Sequence, residues 1–160
     1  MAVKPIPEGY HTVTPYLYID GAARAIEFYK RAFGATELFR MDGPDGRVGH
    51  AEIKIGDSVI MLADEHPEMG VRGPKTLGGS SCCLLLYVAN VDELFRQAIA
   101  AGGKEVRPVK DQFYGDRSGS LEDPFGHNWS LATHVEDLSL DEVKRRFDSF
   151  SAASSTDKNP

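Results

Sequence analysis

Two acid–base side chains occupy alternate positions in one predicted strand. His50 and Glu52 are two residues apart in the segment HAEIKI, and alternate residues of a strand project from the same face. A carboxylate in a partly dry cavity has a raised pKa and can act as a base. We therefore name Glu52 and His50 as candidate catalytic residues; an ordinary polar strand surface facing solvent is the alternative.

The hairpin that carries these residues predicts what lies opposite them. Gly56-Asp57 has the composition of a two-residue turn. Counting outward from that turn pairs Glu52 with Met61, and directly paired residues share one face of the sheet. On the first strand, Tyr16 is expected on the same inner face.

A second predicted hairpin turns at Asp123-Pro124-Phe125-Gly126. Counting outward from a four-residue turn pairs Gly119 with Ser130 and places Arg117 on the inner face with Ser130 and Asn128. The planar guanidinium of Arg117 would anchor an anionic ligand group; pairing with Glu52 or capping the hairpin is the alternative. Trp129 and Leu131 fall on the opposite face, where they are expected to pack against a helix.

The inner-face residues form the predicted ligand-binding set. Tyr114 in QFYGDR is expected at the mouth of the cavity or packed under its own loop. His127 and His134 border the last strand, and we interpret both as structural. The complete set of predicted ligand-binding residues is Tyr16, Met61, Cys83, Tyr114, Arg117, Asn128 and Ser130.

The elements that must position these residues occur twice, 69 residues apart. Ala22, Ala25, Ile26 and Tyr29 coincide in spacing with Val91, Leu94, Phe95 and Ala98. Each copy reads as strand, helix, then three strands, because a helical apolar pattern follows one β-rich segment and precedes several others. An internal repeat of this kind predicts two similar units with a pocket where they meet.

The predicted organisation has five parts. They are a first βαβββ module (residues 10–64), a linker (65–80), a second βαβββ module (81–135), a C-terminal helix (138–150) and a disordered tail (151–160). The fold class is therefore α+β, with paired βαβββ modules whose curved mixed sheets enclose a cavity.

Composition narrows the classes of function. The net charge of −6 argues against nucleic acid as a partner. No run of apolar residues is long enough to span a bilayer, and no signal peptide is evident, so a cytoplasmic protein without a membrane partner is expected. The only two cysteines, Cys82 and Cys83, are adjacent and point to opposite faces of a strand, which makes a disulfide framework improbable and fits a reducing compartment.

With these motifs in view, the chain resembles a known superfamily. The segments DGAARAIEFYKRAFGA and EDPFGHNWSLATH, set in paired βαβββ modules, resemble the vicinal oxygen chelate superfamily, which includes glyoxalase I, bleomycin resistance proteins and extradiol dioxygenases. HAEIKIGDSVIMLAD and DQFYGDRSGSLEDPFGHNW look most like its PhnB-like branch. The resemblance covers residues 12–135 and implies the fold strongly and the reaction weakly.

The resemblance also implies where a metal would bind. Metal-dependent members hold one divalent ion with a side chain from the first and the last strand of each module. Those positions here are occupied by Thr14, Met61, Cys83 and Ser130. None of them is His, Asp or Glu, the ligands that such ions prefer, so we expect no metal at these positions and no cofactor.

Three hypotheses for function remain open. The first is a metal-independent binding protein for a small molecule, and the second is an isomerase or lyase for a small metabolite that uses Glu52 and His50. The third is a metal enzyme with displaced ligands such as Glu52 and His50. The resemblance also implies a homodimer, because members of the superfamily commonly form dimers.

Overall fold

The computed structural model describes residues 3–156, and its elements follow the predicted order. The strands are β1 (Tyr16–Ile19), β2 (Thr36–Asp42), β3 (Val48–Ile55), β4 (Ser58–Asp64), β5 (Cys83–Tyr87), β6 (Lys104–Asp111), β7 (Asp116–Glu122) and β8 (Asn128–His134). The helices are α1 (Ala22–Phe33), α2 (Pro74–Leu77), α3 (Val91–Ala100) and α4 (Leu140–Thr156), with a 3-10 turn at Pro67–Met69.

The strands form two separate four-stranded sheets of the same design. The order is β1-β4-β3-β2 in the first sheet and β5-β8-β7-β6 in the second. The first strand of each module is parallel to the last, and the remaining pairs are antiparallel. Paired βαβββ modules with mixed sheets are thus confirmed as the fold class. In the single chain, the sheets do not close into a barrel.

One face of each sheet packs against the helices, and the helices pack against each other. Helix α1 ends at Gly34, whose φ of 66° is a left-handed conformation that glycine adopts without strain. Its buried face meets the second module, where the ring centroids of Phe33 and Trp129 lie 4.6 Å apart. This aromatic contact joins the modules through their helix-facing sides, as the placement of Trp129 in the sequence predicted.

A buried carboxylate ties the two modules together. Asp123 accepts hydrogen bonds from Tyr29 Oη at 2.7 Å and from Trp129 Nε1 at 2.9 Å. Its other oxygen accepts from the backbone N–H groups of Phe125 and His127. Burial, and then the negative charge of Asp123, raises the pKa of the Tyr29 phenol well above 10.0. The phenol therefore stays protonated and keeps donating.

A second buried carboxylate acts within the first module alone. Asp64 accepts hydrogen bonds from the backbone N–H groups of Gly21, Ala22 and Val48. It thereby fixes the start of α1 and the start of β3. In the second module the same place, 69 residues later, belongs to Thr133, whose hydroxyl accepts from the N–H of Val91 at the start of α3.

The ends of several elements differ from the sequence predictions. Strand β1 begins at Tyr16 and not at residue 12, and the linker contains the 3-10 turn and α2. Helix α4 continues to Thr156, so the prediction of a disordered tail from residue 151 was wrong for residues 151–156. Residues 157–160 lie outside the described part of the chain. Within residues 3–156, no helix is both long enough and apolar enough to cross a membrane.

The outer strands of the two sheets are unlike. Strand β6 carries Lys104, Arg107 and Lys110 together with Pro108, which has no N–H to donate. Strand β2 contains no proline and exposes Phe39 and Met41.

Candidate functional site

The face of each sheet that is turned away from the helices is called its open face below. In the first module, one row of paired residues crosses this face from Tyr16 through Met61 and Glu52 to Phe39. The equivalent row of the second module consists of Leu85, Ser130, Ser120 and Arg107. The two open faces are thus built on the same register but carry different chemistry.

A chain of hydrogen bonds connects the polar residues on the first open face. Tyr16 Oη lies 2.9 Å from His50 Nδ1, and His50 Nε2 lies 3.3 Å from Glu52 Oε1. The hydroxyl of Tyr10 donates to the other oxygen of Glu52. Because the carboxylate can only accept, an Nε2–H tautomer lets neutral His50 donate to Glu52 and accept from Tyr16. The register that pairs Glu52 with Met61 agrees with the count from the sequence.

The tyrosines at the two ends of this chain stay protonated. The hydrogen bond to Glu52 raises the pKa of Tyr10 above 10.0, and burial raises the pKa of Tyr16 above the same value. Tyr10 comes from the segment before β1, in which no periodic pattern pointed to a site. It was therefore missed by sequence reasoning. The result is a half-buried carboxylate and imidazole flanked by two neutral phenols, an arrangement that can donate and accept protons.

The second open face is richer in hydroxyl and amide groups. Cys83 pairs with Asn128 across the sheet, and Leu85 pairs with Ser130. Ser130 Oγ donates to the carbonyl of Gly119 at 3.4 Å, and Asn128 Nδ2 donates to the carbonyl of Ser80 at 3.4 Å. Both cysteines are free and exposed. Burial raises the pKa of the Cys83 thiol, while the positive charge of Arg107 acts in the opposite direction.

The far end of the second open face holds another polar cluster. Asp116 accepts a hydrogen bond from Tyr87 Oη at 2.8 Å and lies 2.8 Å from His134 Nδ1. The other imidazole nitrogen lies 3.0 Å from Asp137 Oδ1. Hydrogen bonds to Asp116 and Asp137 raise the pKa of His134 above 6.5. Tyr114 lies nearby, with its hydroxyl 3.5 Å from Ser118 Oγ.

Arg117 does not lie on the open face, so its predicted register was wrong. Ser130 pairs with Ser120, and Arg117 pairs with Thr133 instead of Ala132. The turn contains five residues rather than four, because the pairing ends at Glu122 and Asn128. This shift of one residue turns the Arg117 side chain toward α3, where Nε and Nη2 each donate to Asp92 at 2.8 Å.

The four positions at which related proteins hold a metal do not fit a divalent ion here. The Thr14 hydroxyl donates to the carbonyl of His11 at 3.2 Å, and Met61 and Ser130 offer only weak neutral donors. Among the described residues, no group of three or more His, Cys, Asp or Glu side chains is arranged to hold a metal. That the protein works without a metal stays a prediction.

The structure adds residues that the sequence analysis did not select. Ser120 and Arg107 occupy the places equivalent to Glu52 and Phe39. The 69-residue repeat could have found Ser120, had the turn of the second module been counted as five residues. The predicted residues brought to the open faces are Tyr16, His50, Glu52, Met61, Cys83, Asn128 and Ser130, with Tyr114 at the edge.

Comparison with known proteins gives consistent matches. Residues 10–131 match the model of the Glyoxalase/Bleomycin resistance protein/Dioxygenase superfamily. The protein Mb0911c of Mycobacterium bovis is 43% identical over 135 residues, which cover 82% of this chain and 89% of the relative. TioX from Micromonospora sp. ML1 is similar in structure with a TM-score of 0.60 and 25% identity, covering 81% of this chain and 100% of TioX. The PhnB protein from Bacillus cereus shares the fold with a TM-score of 0.59 at 20% identity, covering 77% of this chain and 99% of that protein.

Proposed function

The chain belongs to the glyoxalase/bleomycin resistance protein/dioxygenase superfamily, and we propose that it binds a small molecule in a metal-independent cavity completed by two copies of the chain. The observation that carries this proposal is the pair of open faces. Each presents aromatic and apolar side chains beside a few polar groups, which is the composition of small-molecule sites.

A single chain leaves these faces uncovered. Phe39 is 48% exposed, Leu85 is 50% exposed and Tyr87 is 62% exposed. Large apolar side chains that cluster on one surface favour an interaction site. A homodimer in which the open face of one module meets a module of the second copy would bury them and enclose a cavity. The dimer is therefore part of the proposal.

Polar groups on the first open face would orient the ligand. Glu52 and His50 are fixed by Tyr16 and Tyr10, so their rotamers are set before a ligand arrives. Preorganised polar groups in a mainly apolar site provide orientation and specificity. On the second face, Ser120, Ser130 and Asn128 offer neutral donors and acceptors to the other side of the same molecule.

A second candidate function is an isomerase or lyase that uses Glu52 and His50. The connected chain from Tyr16 through His50 to Glu52 favours it, because such a chain can take a proton from one atom and return it to another. In this alternative, Glu52 removes a proton from a small oxygenated metabolite. Tyr16 and Tyr10 supply neutral hydrogen-bond donors.

The first test is mass spectrometry of the intact protein under native conditions, directly after purification from the producing cells. We expect a species of about twice 17.5 kDa that carries a small organic molecule, with well below one metal ion per chain by elemental analysis. A monomer at all micromolar concentrations, or one tightly bound zinc or nickel ion per chain, would contradict the proposal.

The second test uses the molecule identified in this way and two matched variants. Glu52→Gln keeps the shape of the side chain and removes its charge, so binding should weaken by about ten-fold or more, the scale of a charged hydrogen bond. Glu105→Gln makes the same change at an exposed position of β6 and should leave binding unchanged. If Glu52→Gln abolishes turnover while affinity is kept, the enzyme is favoured over the binding protein. Equal affinity and turnover in both variants would remove Glu52 from the site.

A further inference from the structure

A cleft of about 400 Å³ lies where β1, the linker and the start of β5 meet. Its walls are mostly apolar and include Leu17, Pro74, Leu77 and Leu84. This volume lies within the range of small-molecule sites, which is about 300–1,000 Å³. His50 and Glu52 do not line the cleft, so it differs from the acid–base cluster on the first open face.

An unsatisfied polar atom is buried at this cleft. His127 lines it and is 8% exposed, and its Nε2 has no hydrogen-bond partner among the residues that the structure describes. Burial without a partner costs about 1–3 kcal/mol, so such atoms are rare in native proteins. Burial also lowers the pKa of His127 below 6.5, so the ring is neutral near pH 7 and can share a hydrogen bond with a hydroxyl group.

A cation lines the same cleft. Arg72 is exposed, and its guanidinium makes no hydrogen bond or ion pair with any residue in the described range 3–156. Most other arginines of the chain are paired, as Arg117 is with Asp92 and Arg146 is with Glu136. A free guanidinium beside an apolar cleft suits a carboxylate, which it can bind through two parallel hydrogen bonds.

We propose that this cleft is a binding site for a small aromatic carboxylate that carries a hydroxyl group. Arg72 binds the carboxylate, the apolar walls cover the ring, and His127 Nε2 forms a hydrogen bond with the hydroxyl. The site draws on both modules and on the linker, because Tyr18 and Leu17 come from β1 and Leu84 comes from β5. It is separate from the proposed function and does not depend on it.

The experiment is a titration of the full-length protein, labelled with ¹⁵N in its histidines, with 4-hydroxybenzoate and with benzoate. Binding of 4-hydroxybenzoate should shift the Nε2 resonance of His127, because that nitrogen gains a hydrogen-bond partner. Benzoate has the same ring and carboxylate but no hydroxyl. It should bind about ten-fold more weakly and leave that resonance near its free position.

Matched variants separate the site from general effects. Arg72→Gln should weaken both compounds by about ten-fold, the loss of one charge-assisted interaction. Arg31→Gln removes another exposed arginine, on α1 and outside this cleft, and should change neither affinity. Glu52→Gln should leave both affinities intact, which distinguishes this site from the open face.

His127→Gln alters a buried position, so its thermal unfolding is measured first, and the Arg72 variant carries the test if it does not fold. The proposal is overturned if neither compound moves the His127 resonance at millimolar concentration, which would mean that solvent alone satisfies Nε2. It is equally overturned if Arg72→Gln and Arg31→Gln bind 4-hydroxybenzoate alike.

Discussion

The two modules agree on their helix-facing sides and differ on their open faces. Met61 and Ser130 are 69 residues apart and occupy the same place, yet the first stands beside Glu52 and the second beside Ser120. The outer strands contribute Phe39 on one side and Arg107 on the other. Packing has preserved the repeat, whereas the chemistry of the open faces has diverged, as expected of a site that needs two unlike halves.

The buried carboxylates offer the strongest way to break this comparison. Asp123 accepts bonds from both modules, whereas Asp64 serves the first module only. We expect Asp123→Ala to lower the free energy of unfolding by about 3–5 kcal/mol, because several buried donors lose a charged partner. Asp64→Ala should cost less, about 2 kcal/mol. Urea unfolding measures both.

Asp148→Ala, on the exposed surface of α4, is the control for this pair and should cost less than about 0.5 kcal/mol. A larger loss in Asp64→Ala than in Asp123→Ala would show that the modules hold together without the Tyr29–Asp123–Trp129 network.

The two arginines of the second module sharpen the assignment of faces. Arg107 lies on the open face near Cys83, whereas Arg117 faces α3. In a Cys82→Ser background, Arg107→Ala should raise the pKa of the Cys83 thiol and slow its alkylation by about two-fold, because the thiolate is the reactive form. Arg117→Ala should leave that rate unchanged and cost less than about 1 kcal/mol of stability, since its ion pair is partly exposed.

Alkylation rates followed by mass spectrometry against pH provide the measurement. Slower alkylation in Arg117→Ala than in Arg107→Ala would restore the register counted from the sequence and return Arg117 to the open face.

The smallest effect distinguishes the two ends of β8. Burial lowers the pKa of His127, and hydrogen bonds to Asp116 and Asp137 raise that of His134. In NMR titrations we expect the midpoint of His127 below 6.5 and that of His134 above it. His127 therefore contributes stability above pH 6.5 that is lost as the pH falls. His134 contributes stability below pH 6.5 that is lost as the pH rises through its folded pKa.

Variants assign each slope to one residue. His127→Gln should flatten the acid side of the stability curve, and His134→Gln should flatten the side above pH 6.5. Equal midpoints for the two imidazoles would mean that their surroundings are the same, against the contacts described here.

The sequence predicted the fold because the signals for it are local and occur twice. The apolar spacing of α1 recurs in α3, and the turn Gly56-Asp57 fixed the pairing of Glu52 with Met61. The turn after β7 failed because it is closed by a side chain. The N–H groups of Phe125 and His127 donate to Asp123, which adds a residue to the turn that composition does not reveal.

The remaining gaps in the site have similar causes. Tyr10 lies in a segment without periodicity, and it reaches Glu52 only through the tertiary fold. The unpartnered Nε2 of His127 depends on how β1 and the linker pack against the second hairpin, a contact between residues far apart in the sequence. Sequence patterns indicate faces and turns, and they say little about which distant groups meet.

Pro108 has a consequence for how these sheets can grow. A proline in an outer strand removes a backbone donor, and the neighbouring lysines and arginine resist burial, so β6 is a poor template for another strand. Strand β2 has no such protection. Because only one of the two outer edges can accept an added strand, aggregation by edge-to-edge pairing would stop at pairs joined through β2, and a continuous fibril is disfavoured.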